Sequence, residues 1–179
     1  MKKIKLTLVF CLIVMICLAQ NSEWTVTSST IKFKIKNAGF MVDGTFGGLE
    51  AKINFDATKS YSNSIEANIE AKTINTGNNS RDKHLKKEEY FSIEKYPKII
   101  LNASTFAKQP DGSFKGYFKL TIKSTTKDVV MPFTFSESNT SALIKGSFAI
   151  NRIDYEIGES GLILSNNATI SIEAKLTKK

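Results

Sequence analysis

The sequence predicts an all-β fold: one antiparallel sheet of about eight strands, closed into a barrel, with one short helix. Three observations predict it. Apolar and polar residues alternate with period two through most of the chain. Turn residues recur between the alternating stretches, as at Pro110-Asp111-Gly112, Glu137-Ser138-Asn139 and Gly158 to Gly161. Many long strands of one amphipathic pattern suit a sheet that closes on itself, because closure leaves no exposed edge.

The chain opens with the basic MKKIK and the apolar run LTLVFCLIVMICLA. That run is short of the ~20 apolar residues a membrane-spanning helix needs. Cys17-Leu18-Ala19 places small residues where a signal peptidase reads. Residues 1–19 are therefore expected to be a signal peptide, and 20–179 the folded domain, placing the protein in the periplasm or outside the cell. Phe10 and Ile16 precede the two cysteines, where a lipidation signal wants a small residue. Cys11 and Cys17 both leave with the signal, so the mature chain can form no disulfide, thiolate metal site or cysteine nucleophile. The formal charge is +8 with 25 basic and 17 acidic residues; losing Lys2, Lys3 and Lys5 leaves 22 against 17, or +5. The lysines are scattered among apolar residues, and no aromatic-interleaved basic stripe suggests nucleic acid. A mild positive charge is compatible with brief contact with an anionic membrane surface, and equally with simple solubility.

The strands follow in order. In TIKFKIKN, Ile31, Phe33 and Ile35 share a face, with EWTVT before it either continuous or separate. Gly47-Gly48 shifts the parity between Phe46 and Leu49, which predicts a bulge ahead of LEAKINFD. SIEANIEAKT carries Ile65, Ala67, Ile69 and Ala71 on one face; PKIILNASTF reads as a strand with a mixed face. SFKGYFKLTIKS aligns Phe114, Gly116, Phe118, Leu120 and Ile122, and DVVMPFTFS aligns Val129, Met131, Phe133 and Phe135. Pro132 predicts an edge or a bulge there. ALIKGSFAIN and ATISIEAKL complete the sheet, with Ile144, Gly146, Phe148 and Ile150, then Ala168, Ile170, Ile172, Ala174 and Leu176. A barrel of this size either fills with side chains or holds one small ligand. The inward faces mix Phe and Ile with Ala and Gly, which fits either case.

The stretch NTGNNSRDKHLKKEEYF, Asn75 to Phe91, breaks the alternation and is the one helical candidate, over Ser80 to Phe91 with Ser80 as cap. It holds His84, the only histidine. With no second histidine and no cysteine beside it, a transition-metal site is disfavoured. No GxSxG, HExxH or glycine-rich phosphate loop marks a catalytic centre, so a structural or surface histidine is the better reading. Arg81 and Asp82 are adjacent and point apart on a helix. Arg81 is expected to meet a carboxylate, and Asp82 a backbone amide or a basic partner. Lys86, Lys87, Glu88 and Glu89 read as a solvated helix face, with Tyr90, Phe91, Ile93 and Tyr96 packing across a barrel end. In NRIDYEIG, Arg152 and Asp154 read most simply as an exposed pair at a hairpin end. The sharper alternative is a buried network or a head-group contact.

Two of these patches together resemble a known family. INTGNNSRDKHLKKEEYFSIEKYP is similar to the TG…RDxHL…FF…YP signature of the YceI-like proteins, and NRIDYEIG to their NR-x-D-aromatic-G-I run. The opening from Trp24 through TIKFKIKNAGFMVDGTFGGLEAKINFD fits as well. Three positions depart: Glu156 stands where the family usually has Gly, Tyr90 where it has Phe, and Ser124 where a turn Gly is common. The resemblance implies a lipocalin-like barrel of eight antiparallel strands with one short helix near a barrel end. It implies an exported protein whose lumen holds an isoprenoid chain of polyprenyl or quinone type; because the chain lacks a recognisable nucleophile–base pair, a non-enzymatic protein with no covalent cofactor is expected. A non-enzymatic structural or interaction barrel of the envelope or a stress response, without a bound lipid, is the alternative. Candidate wall residues, chosen by parity and size, are Phe33, Ile35, Phe46, Phe118, Leu120, Ile122, Phe133, Phe148 and Ile170. Arg81, Asp82, His84, Arg152 and Asp154 are expected to form a structural or gating network that fixes the Asn75 to Phe91 segment. Oligomeric state is left open, a dimer included.

Overall fold

The structure, a computed structural model, describes residues 23–179. The expected signal peptide and its cleavage point before Gln20 lie outside the described residues. The strands are β1 (Glu23–Asn37), β2 (Phe40–Phe46), β3 (Glu50–Asn54), β4 (Ser64–Glu70), β5 (Lys98–Lys108), β6 (Phe114–Ile122), β7 (Thr125–Ser138), β8 (Ser141–Asn151) and β9 (Leu164–Lys178). Neighbours pair antiparallel in chain order, and β1 also pairs with β9, which closes the sheet. β2 and β3 are one stave in two pieces. Ile31↔Phe46 and Trp24↔Ile53 keep a single register along β1, and the chain leaves the ladder at Gly47-Gly48, where Gly48 has φ +68. The barrel is therefore eight-stranded, as expected.

EWTVT is not a separate strand. It runs straight into TIKFKIKN as β1, with an irregularity between Val26 and Ser28 in the pairing with β9. That extra residue reverses the parity, so Trp24 faces inward before it and Ile31, Phe33 and Ile35 after it. A second shift, between Ala103 and Thr105 in β5, explains the mixed face of PKIILNASTF: Ile99, Leu101 and Ala103 point inward before it and Phe106 after it. Pro132 pairs with Lys115 of β6, while the ladder to β8 begins only at Phe133. The expected edge is thus a local parting of β7 from β8, beside a residue with no N–H to donate.

The helix α1 (Asn79–Leu85) is shorter than Ser80 to Phe91, and its cap is Asn78 rather than Ser80. The Asn78 side chain accepts from Arg81 N–H at 3.0 Å. Beyond Leu85 the chain folds back in tight turns, Phe91 N–H to Leu85 O and Ser92 N–H to Lys87 O, with Ser92 at φ +47. Lys87, Glu88 and Glu89 are exposed in these turns rather than on a helix.

Candidate ligand-binding cavity

The two ends of the barrel are built differently. At the end away from α1, where β3–β4, β5–β6 and β7–β8 turn, Phe55 is fully buried. Its ring meets Phe106 (5.3 Å), Phe114 (5.1 Å), Phe133 (5.6 Å) and Phe135 (4.7 Å). Trp24 packs edge-on to Phe135 at 5.5 Å and donates its indole N–H to Phe55 O at 2.9 Å. These rings interlock mostly at edge-to-face angles, the favoured aromatic geometry, and form a solid plug. Towards α1 the barrel is hollow, with a cavity of about 340 Å³, within the usual range for small-molecule pockets.

The small inward residues divide between the two roles the sequence left open. The Phe118 ring lies on the bare Cα of Gly116, and Met131 and Phe133 crowd Gly146, so these glycines make room for large neighbours. Ala51, Ala67, Ala168 and Ala174 line the cavity instead and leave it open. Phe33 covers its cross-strand partner Gly44, where a Cβ would collide with the ring. Phe33 then leans on Phe46, and Phe46 on Phe91, to make an aromatic wall.

Most polar residues on the lining gather near the α1 end, with Lys32 and Asn68 further along β1 and β4. Thr76, Arg81, His84 and Arg152 line the cavity at the α1 end. Asp82, buried, accepts from Thr76 N–H at 2.9 Å and from its hydroxyl at 2.6 Å. Arg81 donates to the same Thr76, Nε to the hydroxyl at 2.7 Å and Nη2 to the carbonyl at 2.9 Å, so its partner is not the expected carboxylate. His84 is exposed and its ring rests against Tyr90 at 4.8 Å. The lining is exposed here at His84 of α1, and Val42 of β2 is half-buried on the same lining.

Arg152 corrects the simple reading of NRIDYEIG. It is 3% exposed, not a surface residue, and it does not pair with Asp154, which is exposed. Its guanidinium donates to the carbonyls of Ser165 (2.9 Å), Ile157 (2.7 Å), Glu159 (2.8 Å) and Leu164 (3.2 Å), stitching together the loop between β8 and β9. Burial lowers its pKa, opposed by the nearby Tyr90, yet an arginine stays charged in proteins. Burial, with a smaller contribution from Asp154, pushes the Tyr155 phenol up to about 12. The five expected network residues thus fall into separate groups. Arg81 and Asp82 share Thr76; Arg152 holds its own loop. The link between the two segments is instead Gly158 N–H to Glu89 O at 2.7 Å, with Tyr90 packed beside Gly158.

Of the candidate wall residues, Phe33, Ile35, Phe46, Phe118, Leu120, Ile122, Phe148 and Ile170 all line the cavity, while Phe133 lies in the plug. Leu49, Ile69, Ile99, Leu101 and Ile157 also line it and were not singled out. Ile99 and Leu101 were hidden by the parity shift in β5, and Ile157 lies outside any alternating strand.

A model of the YceI-like domain matches residues 24–176. The chain belongs to the YceI-like family. A UPF0312 protein of Pseudomonas fluorescens is 28% identical over 70% of this chain and 69% of its own length. One from Photorhabdus laumondii is 30% identical over 56% of this chain and 53% of its own, so the match spans about half of that relative. Among solved structures, Burkholderia cenocepacia BcnA superposes with TM-score 0.78 at 20% identity, covering 82% of this chain and 95% of that one. A polyisoprenoid binding domain from Saccharophagus degradans superposes with TM-score 0.67 at 13% identity, covering 89% and 99%. Identities this low show the shared fold.

The YceI-like departure at Glu156 has a visible cost. Glu156 closes the 3-10 turn Arg152–Tyr155 at φ 56, in the left-handed region that favours glycine. Glu156→Gly is expected to raise stability by about 0.5–1 kcal/mol, since relief of the left-handed backbone outweighs glycine's greater unfolded-state entropy. A rise in the urea midpoint at unchanged slope would show it.

Proposed function

We propose that this YceI-like protein is an exported carrier that holds an isoprenoid lipid, of polyprenyl or quinone type, for transport, storage or sequestration. The observation that carries the reading is the polarity gradient along one cavity. The cavity is walled mainly by Phe, Ile, Leu and Ala, ends at the aromatic plug, and carries most of its polar residues at the α1 end. A long isoprenoid tail offers almost only apolar surface, and burying it is worth about 25 cal/mol per Å². The tail then points at Phe118 and Met131, and the head stays near His84 and Arg81. The Saccharophagus relative, described as polyisoprenoid binding, supports the ligand class. The reading is one of binding without catalysis. Among the described residues no cluster of His, Cys, Asp or Glu could hold a metal, and no helix is long and apolar enough to cross a membrane.

Filling the cavity tests this. Ala51 and Ala67 are cross-strand partners that both face the void. Ala67→Phe, placed in empty space, is expected to weaken binding of a polyprenyl alcohol to delipidated protein by about tenfold or more, with stability changed by less than about 1.5 kcal/mol. Unchanged binding in a folded variant would move the ligand out of this cavity.

A further inference from the structure

Large apolar side chains are exposed in two neighbouring loops at the open end. Phe40 is 77% exposed and Met41 60%, at the tip joining β1 to β2; Leu162 is 106% exposed and Ile163 68%, just before β9. The loops are tied by Ala38 N–H to Ile163 O at 2.8 Å, so the four side chains belong to one surface. The tip is shaped for display: Ala38 and Gly39 both have positive φ, and the turn projects past the last β1–β9 pair, Asn37↔Leu164. Asn37 and Leu164 also line the cavity, so the exposed patch and the lumen share a rim. Contiguous exposed apolar surface on a folded domain marks an interaction site.

Behind the tip, Lys34 and Lys36 point outward from β1, both exposed. Across the hairpin they face Asp43 and Met41, and neither appears in an ion pair among the described residues. The nearby acids are Asp43 on β2, Glu159 in the second loop and Glu88 and Glu89 beyond α1, so the end is mixed in charge and the apolar tip leads.

We propose that this end of the barrel docks on a lipid bilayer, with Phe40, Met41, Leu162 and Ile163 entering the interfacial layer and Lys34 and Lys36 meeting anionic head groups. The inference rests on the lipid-carrier reading. A chain as apolar as an isoprenoid cannot cross water cheaply, and a lumen whose rim sits in the bilayer lets the tail slide between membrane and barrel. Apolar side chains at the head-group boundary backed by lysines are the composition of interfacial anchors.

The test uses the purified mature protein and vesicles of phosphatidylethanolamine and phosphatidylglycerol that contain no isoprenoid, so that docking is read apart from cargo. Wild type is expected to co-sediment, more weakly on phosphatidylcholine alone. The double variant Phe40→Ser with Leu162→Ser should lose about tenfold or more of its vesicle affinity, while its unfolding midpoint and its uptake of a polyprenyl alcohol from detergent stay unchanged. Tyr61→Ser removes an equally exposed side chain, 88%, from the opposite end and should change nothing. A Leu162→Trp reporter should be quenched by brominated lipid. Vesicle binding that is absent, or indifferent to the double variant, overturns the docking surface and leaves the cavity reading standing. A solution dimer abolished by the double variant, with no vesicle binding, also overturns it and assigns the patch to a second copy.

Discussion

Phe55→Ala is expected to cost about 3–5 kcal/mol, the range for deleting a fully buried phenylalanine. The change strips contacts from Phe106, Phe114, Phe133 and Phe135 at once, and loosens the segment just after β3 whose Phe55 carbonyl holds the Trp24 indole. Such a loss is a large fraction of the ~5–15 kcal/mol by which small domains are stable. Urea unfolding followed by the Trp24 fluorescence, the one tryptophan in the chain, reads the plug directly. Phe55→Leu should cost much less, because volume-sparing core exchanges are tolerated best. A Phe55→Ala protein as stable as wild type would mean that the aromatic end is not the structural anchor.

Arg152→Ala is the second large expectation, at about 3–5 kcal/mol. The guanidinium is the shared donor for the Ser165, Ile157, Glu159 and Leu164 carbonyls. Hydrogen bonds to charged groups are worth ~1.5–3 kcal/mol each, discounted here because several of these carbonyls regain water when the loop opens. Arg152→Lys should recover only a minor part, since an ammonium is a point donor and cannot reproduce the planar fork. Limited proteolysis supplies a local readout: cleavage after Glu159 by a glutamate-specific protease should speed up in Arg152→Ala well below its global unfolding midpoint. If the loop remained protected, the arginine would not be its clamp.

How much of this was legible in the sequence depends on parity. Where a strand is regular, as in FKGYFKLTI, alternation names the inward face residue by residue, and Phe118, Leu120 and Ile122 line the cavity. Where a bulge interrupts it, alternation misleads: the irregularity near Thr27 left open whether EWTVT and TIKFKIKN were one strand or two, and the one near Ser104 hid Ile99 and Leu101. Parity also cannot tell depth along the barrel axis. Phe133 shares the inward face of β7 with Met131, yet it stacks on Phe114 in the plug while Met131 lines the cavity. The charged segment was legible as a barrel-end connection with a short helix but not in its wiring. Charge suggested Arg152 with Asp154, whereas the geometry offers Arg152 four carbonyls and leaves Asp154 in solvent. Backbone acceptors carry no sequence signature.

The central claim is that the cavity between the aromatic plug and α1 holds an isoprenoid lipid. The most direct measurement is organic extraction of the mature protein purified from its native host, with the extract read by mass spectrometry beside that of Ala67→Phe prepared identically. The account predicts about one isoprenoid lipid per wild-type chain and a strongly depleted variant that is still folded. A folded wild-type protein with an empty extract, or lipid retained equally by the filled variant, would contradict it.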